Sequence, residues 1–186
     1  MTFESFSREP GSEAAFTAAR RFARSPHGEW LVIASKETGN GKTHLLCAVA
    51  NTLMAEGIPV LYSFVPHLLD HLRAGYSRSG RRYGPGDELD QDEAHHQFEQ
   101  RWNQVLNIEA LLLDDLGVEQ HKPWVMERLE SLVNWRYDHR LATAITTNLT
   151  LAQIGEWSPR IRSRIERYPA TVTHNAAGEF HKRGRG

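Results

Sequence analysis

Four groups of residues have the types and spacing for chemistry on a phosphorylated ligand. In the first, the apolar run Leu31-Val32-Ile33-Ala34 leads into Gly39-Asn40-Gly41-Lys42-Thr43, and a helical pattern with Leu46, Val49, Ala50 and Leu53 on one face follows. Strand, Gly-containing loop, Gly-Lys-Thr and helix is the setting of a phosphate-binding loop. Its amides can wrap a triphosphate, Lys42 can reach the outer phosphates, and the Thr43 hydroxyl can ligate Mg²⁺. The pattern asks for Gly where this chain has Lys36. That replacement costs on the order of 1 kcal/mol if the backbone there needs positive φ.

The second group is Asp114-Asp115, at the end of the apolar run Ala110-Leu111-Leu112-Leu113. A buried parallel strand reads this way where its C-terminal end meets a ligand. Asp114 would hold the ion, largely through water, and Asp115 would orient and activate the attacking water. Asn148 is the third, closing the strand Ala144-Ile145-Thr146-Thr147. In a parallel sheet that end faces the crevice of Asp114, so its amide can sense a terminal phosphate or position water. The plainer role is to start the turn before Thr150. The fourth is Pro159 to Arg167, in which Arg160, Arg164 and Arg167 share one helix face and Ile161, Ile165 and Tyr168 turn toward the core. An arginine supplied by a neighbouring subunit can stabilise a departing phosphoryl group, worth about 10³–10⁵ in rate. The alternative is a solvated basic face.

The elements that must position these groups alternate. Helix is expected at Glu13 to Arg24, from Lys42 to Glu56-Gly57, at Pro66 to Tyr76, around Phe98 to Trp102, from Pro123 to about Tyr137, at Leu151 to Trp157 with Thr150 and Gln153 as a capping box, and again from Ser158-Pro159. Strands fall between them at Leu31–Ala34, Val60–Phe64, the run into Asp114, Ala142–Thr147 and Ala170–Thr173. Such alternation with short loops predicts an α/β fold, a parallel sheet with helices on both faces. Phe3 and Phe6 either pack on the domain or help line a base pocket. Residues 77–97 are rich in Gly, Pro and mixed charge and read as a loop or mobile insertion. There Arg78, Arg81 and Arg82 flank Tyr83, a set that would suit single-stranded nucleic acid; a solvated loop is the simpler reading. His67 and His71 stand four apart with no third ligand in sequence, which favours an ordinary helix face over zinc.

At 186 residues the chain is sized for one domain, and its 40% hydrophobic and 24% charged composition is that of a globular protein. A net charge of −1 gives no global attraction to nucleic acid or membrane. The single cysteine, Cys47, excludes an internal disulfide. No signal peptide opens the sequence and no apolar run nears the ~20 residues of a membrane span, so a reducing cytoplasm and no membrane partner are expected.

With these residues in hand the chain resembles an AAA+ ATPase, and more narrowly the bacterial replicative-helicase loaders of the DnaC/DnaI type and the related IstB-type transposition helpers. The likeness rests on Thr2-Phe3-Glu4-Ser5-Phe6, on Gly39 through Lys42, Thr43, His44 and Leu45, and on Leu112-Leu113-Asp114-Asp115-Leu116-Gly117. It continues through Trp124, Glu127, Arg136-Tyr137, Thr146-Thr147-Asn148-Leu149 and Arg162-Ser163-Arg164-Ile165. The resemblance implies a three-layer P-loop core with a five-stranded parallel sheet. It implies ATP or ADP held by Gly39, Asn40, Gly41, Lys42, Thr43 and His44, and Mg²⁺ held by Thr43 and Asp114. Asp115 is implied to be catalytic, Asn148 the first sensor and Arg164 an arginine finger acting between subunits. The implied partners are a replicative DNA helicase, single-stranded DNA and further copies of the chain in a ring or spiral. The stretch at about 77–105 matches the place where initiator-type members carry an extra DNA-contacting helical element.

The sequence ends about a dozen residues after its last strand, so a helical lid is expected to be absent or minimal, and no second sensor arginine can be assigned. The N-terminal region by which loaders grip the helicase has no counterpart here; the sequence either is part of a longer chain or works without it. The expected function is ATP-dependent loading of the replicative helicase. The alternatives are a transposition helper that coats double-stranded DNA, a weakly hydrolysing nucleotide-dependent binding module, and a small-molecule kinase sharing only the phosphate loop.

Overall fold

The computed structural model describes residues 1–71, 88–117, 123–167 and 170–178. Five strands, β1 (Trp30–Ala34), β2 (Val60–Phe64), β3 (Ala110–Leu116), β4 (Ala142–Thr147) and β5 (Ala170–His174), form one sheet in the order β2-β3-β4-β1-β5. Every pairing is parallel. The helices are α1 (Glu13–Arg24), α2 (Lys42–Ala55), α3 (65–71), α4 (Glu88–Asn107), α5 (Pro123–Asp138), α6 (Leu151–Trp157) and α7 (Pro159–Arg167).

Alternation along the strands divides the core into two layers. Leu31, Ile33, Leu112 and Ala144 face α1 and α2, meeting Phe16, Phe22, Leu45, Leu46 and Val49. Trp30, Val32, Leu111, Leu113 and Ile145 face the opposite way, onto Leu68, Phe98, Trp102, Leu129, Leu132, Ile154, Ile161 and Ile165. Because both faces of the central strands are covered, β1 and β4 are buried along their whole length and β3 at every residue but Asp115, with β1 and the first half of β3 reading as apolar runs. The expected three-layer fold is therefore the fold found. Thr150 and Gln153 form the expected capping box of α6.

Two expectations need correction. Helix α4 begins at Glu88, ten residues before the expected start at Phe98, so 88–97 are helical rather than loop. The run Glu88-Leu89-Asp90-Gln91-Asp92-Glu93-Ala94 is short of apolar residues, and its composition hid its helix propensity. The proposed single-strand contacts Arg78, Arg81, Arg82 and Tyr83 lie outside the described residues, as do Tyr168 and the tail from 179. The second correction concerns Lys36. Among the described residues only Asp115 and Arg140 combine a side chain with positive φ, so Lys36 carries no left-handed strain.

At the N-terminal ends of the strands, the far end from the phosphate loop, Arg136 of α5 is completely buried. Its guanidinium donates to the carbonyls of Leu106, Ile108 and Ala142 at 3.0, 2.9 and 2.6 Å and to Thr143 Oγ1 at 2.9 Å. Burial pushes its pKa down to about 9, which still leaves it charged at neutral pH. This cation clamps the end of α4 to the starts of β3 and β4. Among the described residues no helix is long and apolar enough to cross a membrane.

Candidate functional site

The phosphate loop lies between β1 and α2, and its glycines are needed for their backbone. Gly39 and Gly41 have φ of 63° and 91°, and Gly41 caps the start of α2. Lys42 follows in the first turn, 6% exposed, with Nζ donating to the Glu37 carbonyl at 2.7 Å and to Asn40 Oδ1 at 3.2 Å. Burial pulls its pKa down, and the charges of Asp115 and Asp114 work against that pull. The ammonium thus stands inside the loop, held by acceptors that a phosphate oxygen can replace.

Strand β4 lies between β1 and β3, which puts the end of β4 between the phosphate loop and the acidic pair. Asp114 is buried and accepts hydrogen bonds from three hydroxyls: Thr43 Oγ1 at 3.3 Å, Tyr62 Oη at 2.7 Å, and Thr146 Oγ1. Thr146 Oγ1 also accepts the backbone N–H of Asp115 at 2.9 Å, so one β4 hydroxyl fixes both acidic residues. Burial and the Asp114 carboxylate push the Tyr62 hydroxyl's pKa up, which keeps it a donor.

Successive strand residues ordinarily point to opposite faces of a sheet, and that would send Asp114 and Asp115 apart. Here the β3–β4 register shifts between Leu113 and Leu116, and Asp115 takes φ 59°. The distortion lets Asp115 line the cleft at whose edge Asp114 meets Thr43. There it accepts from Asn148 Nδ2 at 3.2 Å. Burial, then the charge of Asp114, raise the Asp115 pKa, while Lys42 and Asn148 oppose the rise. Asn148 Oδ1 is buried and has no hydrogen-bond partner among the described residues, so it is free to accept from a water beside Asp115.

Together Thr38, Gly39, Asn40, Gly41, Lys42, Thr43, His44, Asp115 and Asn148 line a cleft of about 420 Å³, closed on one side by Met1, Ser5, Phe6 and Ser7. His44 holds that N-terminal wall through Nε2 to the Thr2 carbonyl at 2.9 Å and an edge contact with Phe6. Phe6 stacks on Phe16, so it both packs and lines the cleft, while Phe3 only packs. The donor set fits a hard divalent cation: Thr43 Oγ1 and a carboxylate oxygen of Asp114 already stand together.

Arg164 is not among the residues of this cleft. It lies over the Tyr137 ring at 4.5 Å and donates to Asn134 Oδ1 at 2.9 Å, while Arg160 pairs with Glu130. Ile161 and Ile165 are buried as expected. His71 Nδ1 bonds the His67 carbonyl, and no group of three metal-binding side chains occurs among the described residues. Sequence reasoning missed the roles of Tyr62 and Thr146. Nothing in sequence spacing brings β2, β4 and Asp114 together, although Thr146 belongs to the same stretch as Asn148.

A phosphate loop after β1 and an acidic strand end, with the sheet order placing β4 between them, give the chain a three-layer α/β core with the fold of AAA+ P-loop proteins. No family model matches the chain. Over 155 residues it is 24% identical to the replicative helicase loader DnaC of Escherichia coli K12, an alignment covering 82% of this chain and 57% of the loader. It is 26% identical over 166 residues to the chromosomal replication initiator protein DnaA of Nautilia profundicola, covering 89% of this chain and 34% of that protein. The chain thus spans little more than half the length of the curated loader it matches. Among solved structures, the DnaC helicase loader superposes with a TM-score of 0.72 at 21% identity, over 94% of this chain and 96% of that one. DnaI does so at 0.70 and 21%, over 96% and 89%. The initiator DnaA bound to AMPPCP and single-stranded DNA gives 0.74 at 19%, over 92% and 49%. The fold is shared with these proteins, and the sequence is similar to helicase loaders and replication initiators.

Proposed function

We propose that this chain is an ATP- and Mg²⁺-dependent AAA+ ATPase domain of DNA replication initiation that loads a replicative helicase, contacts single-stranded DNA and assembles with copies of itself. The reading is carried by one observation. Lys42, Thr43, Asp115 and Asn148 line a single cleft, with Asp114 hydrogen-bonded to Thr43 at its edge. The 24% identity to a helicase loader over 82% of the chain supports the choice of loading among nucleotide-dependent functions.

In this mechanism Lys42 exchanges the Glu37 carbonyl and Asn40 Oδ1 for phosphate oxygens. Thr43 and Asp114 would hold Mg²⁺, which would supply charge neutralisation at the phosphates when bound. Asp115, raised in pKa and positioned by Asn148, accepts the proton of the attacking water. Arg164 serves the cleft of a neighbouring copy, since it stands away from its own. Hydrolysis then switches the assembly between holding and releasing its cargo.

The test is a Lys42→Ala protein beside the wild type. The variant is expected to lose ATP binding, and unchanged affinity would sink the site. Wild type should retain a replicative helicase in an ATP-dependent pull-down and prefer single- over double-stranded DNA at a stated salt concentration. Capture of a transposase with preference for double-stranded DNA would instead select the transposition-helper reading.

A further inference from the structure

The chain after β5 is bound to the phosphate loop by a pair of buried asparagines, Asn40 of the loop and Asn175, of which the reaction as described does not use Asn175. Asn175 is completely buried and Asn40 is 1% exposed. Each donates its side-chain amide to the other's backbone: Asn40 Nδ2 to the Asn175 carbonyl at 3.1 Å, and Asn175 Nδ2 to the Asn40 carbonyl at 2.8 Å. Asn40 Nδ2 also donates to Ser35 Oγ at 2.7 Å, at the base of the loop. Its Oδ1 faces the Lys42 ammonium at 3.2 Å.

The segment holding Asn175 is itself tied down. The Asn175 amide continues the β1–β5 ladder onto the Ala34 carbonyl at 3.0 Å, and the Ala177 amide bonds Asn175 Oδ1 at 3.3 Å. The Ala176 amide donates to the Gly11 carbonyl at 3.1 Å. Gly11 has φ 92°, and a side chain there would meet the Ala176 backbone at 2.9 Å. Three segments distant in sequence are thus stitched together directly beneath the phosphate loop.

We infer that Asn175 is a positioning residue for the phosphate loop, and that through Asn40 it links occupancy of Lys42 to the chain that follows β5. The physical reason lies in the shared groups. The loop residue between Gly39 and Gly41 has no freedom to turn its carbonyl without breaking the bond from Asn175, so the loop's amides stay aimed at the phosphates. When Lys42 takes a phosphate oxygen, Asn40 Oδ1 loses its cation. The loop then becomes fixed from the ligand side as well as from Asn175. Ordering at one end of this pair therefore stabilises the other.

This inference rests on the nucleotide-binding reading, and the test separates the two. The first measurement uses wild type alone: amide hydrogen exchange with and without ADP. Saturating ADP should slow exchange at Asn175, Ala176 and Ala177 at least threefold; unchanged exchange there while ADP demonstrably binds overturns the link. The second uses Asn175→Ala, with Asn175→Ser as the substitute should the alanine variant not fold. Its affinity for ADP should fall about fivefold to tenfold, the value of one buried hydrogen bond. Its turnover number at saturating ATP should stay near that of wild type. A variant that melts earlier but binds ADP as wild type does overturns the positioning role. Failure of wild type to bind ADP at all would fall instead on the proposed function.

Discussion

Thr146→Val tests whether the β4 hydroxyl holds the acidic pair in place. The substitution keeps the branched shape at a fully buried position and removes only the polar group. Two bonds disappear: the acceptor of the Asp115 N–H at 2.9 Å and the donor to Asp114 Oδ1. A buried amide left unpaired costs about 1–3 kcal/mol, and a hydrogen bond to a charged group is worth about 1.5–3 kcal/mol. The two share one hydroxyl, and Thr43 still donates to the same Asp114 oxygen at 3.3 Å. The sum is therefore incomplete, and about 3 kcal/mol is expected. With a urea slope of about 2 kcal/mol/M, the unfolding midpoint of the nucleotide-free protein should drop by roughly 1.5 M. Tryptophan fluorescence reads that transition. Mg²⁺ titration of ATP binding should show metal affinity weakened by about tenfold or more, as for other groups that orient a ligating carboxylate. Thr146→Ser should recover most of both losses. A valine variant within about 0.3 M of wild type, or a serine variant as poor as valine, would refute the reasoning.

Three further outcomes follow from the same geometry. The raised pKa of Asp115 and the lowered pKa of Lys42 narrow the working range from both sides. The kcat/KM profile of ATP hydrolysis should fall, as pH drops, at a pH above the ordinary carboxylate value, when Asp115 protonates. It should fall, as pH rises, below the ordinary lysine value, when Lys42 loses its proton. Arg136→Met leaves the carbonyls of Leu106, Ile108 and Ala142 without their buried donor; at about 1–3 kcal/mol each, thermal melting should show a protein at or beyond the edge of folding. Arg164→Ala should bind ATP normally and hydrolyse none, and mixing it with Asp115→Asn should restore turnover, because each contributes the part the other lacks. Absence of that rescue in a steady-state phosphate-release assay would argue against a site shared between copies.

Much of this protein is legible in its residues because the signals are local. Short runs of strand-forming residues between helical segments place every strand within a residue or two, and the Gly-Lys-Thr loop between β1 and α2 is a covalent neighbourhood that spacing alone describes. The capping box at Thr150 is equally local. Signals failed where composition misled, as in the polar first half of α4, or where a rule was applied to a backbone not yet seen. The strain penalty at Lys36 was conditional on positive φ, and its backbone does not meet that condition.

What the sequence could not contain is which distant groups meet. That β4 runs between β1 and β3 is a property of the folded sheet, and it alone brings Thr146 and Asn148 to the acids of β3. The convergence of two consecutive aspartates is also tertiary, since a regular strand would part them. The register shift after Leu113 and the left-handed φ of Asp115 let Asp115 line the cleft at whose edge Asp114 meets Thr43. The same holds for Tyr62, which reaches Asp114 from β2, and for Asn175, which reaches Asn40 across 135 positions of chain. Hydrogen-bond partners so far apart leave no spacing to read, because only packing of the finished sheet sets their distance. Residue types set the chemistry available to this protein; the sheet order and one irregularity in β3 fix where that chemistry comes together.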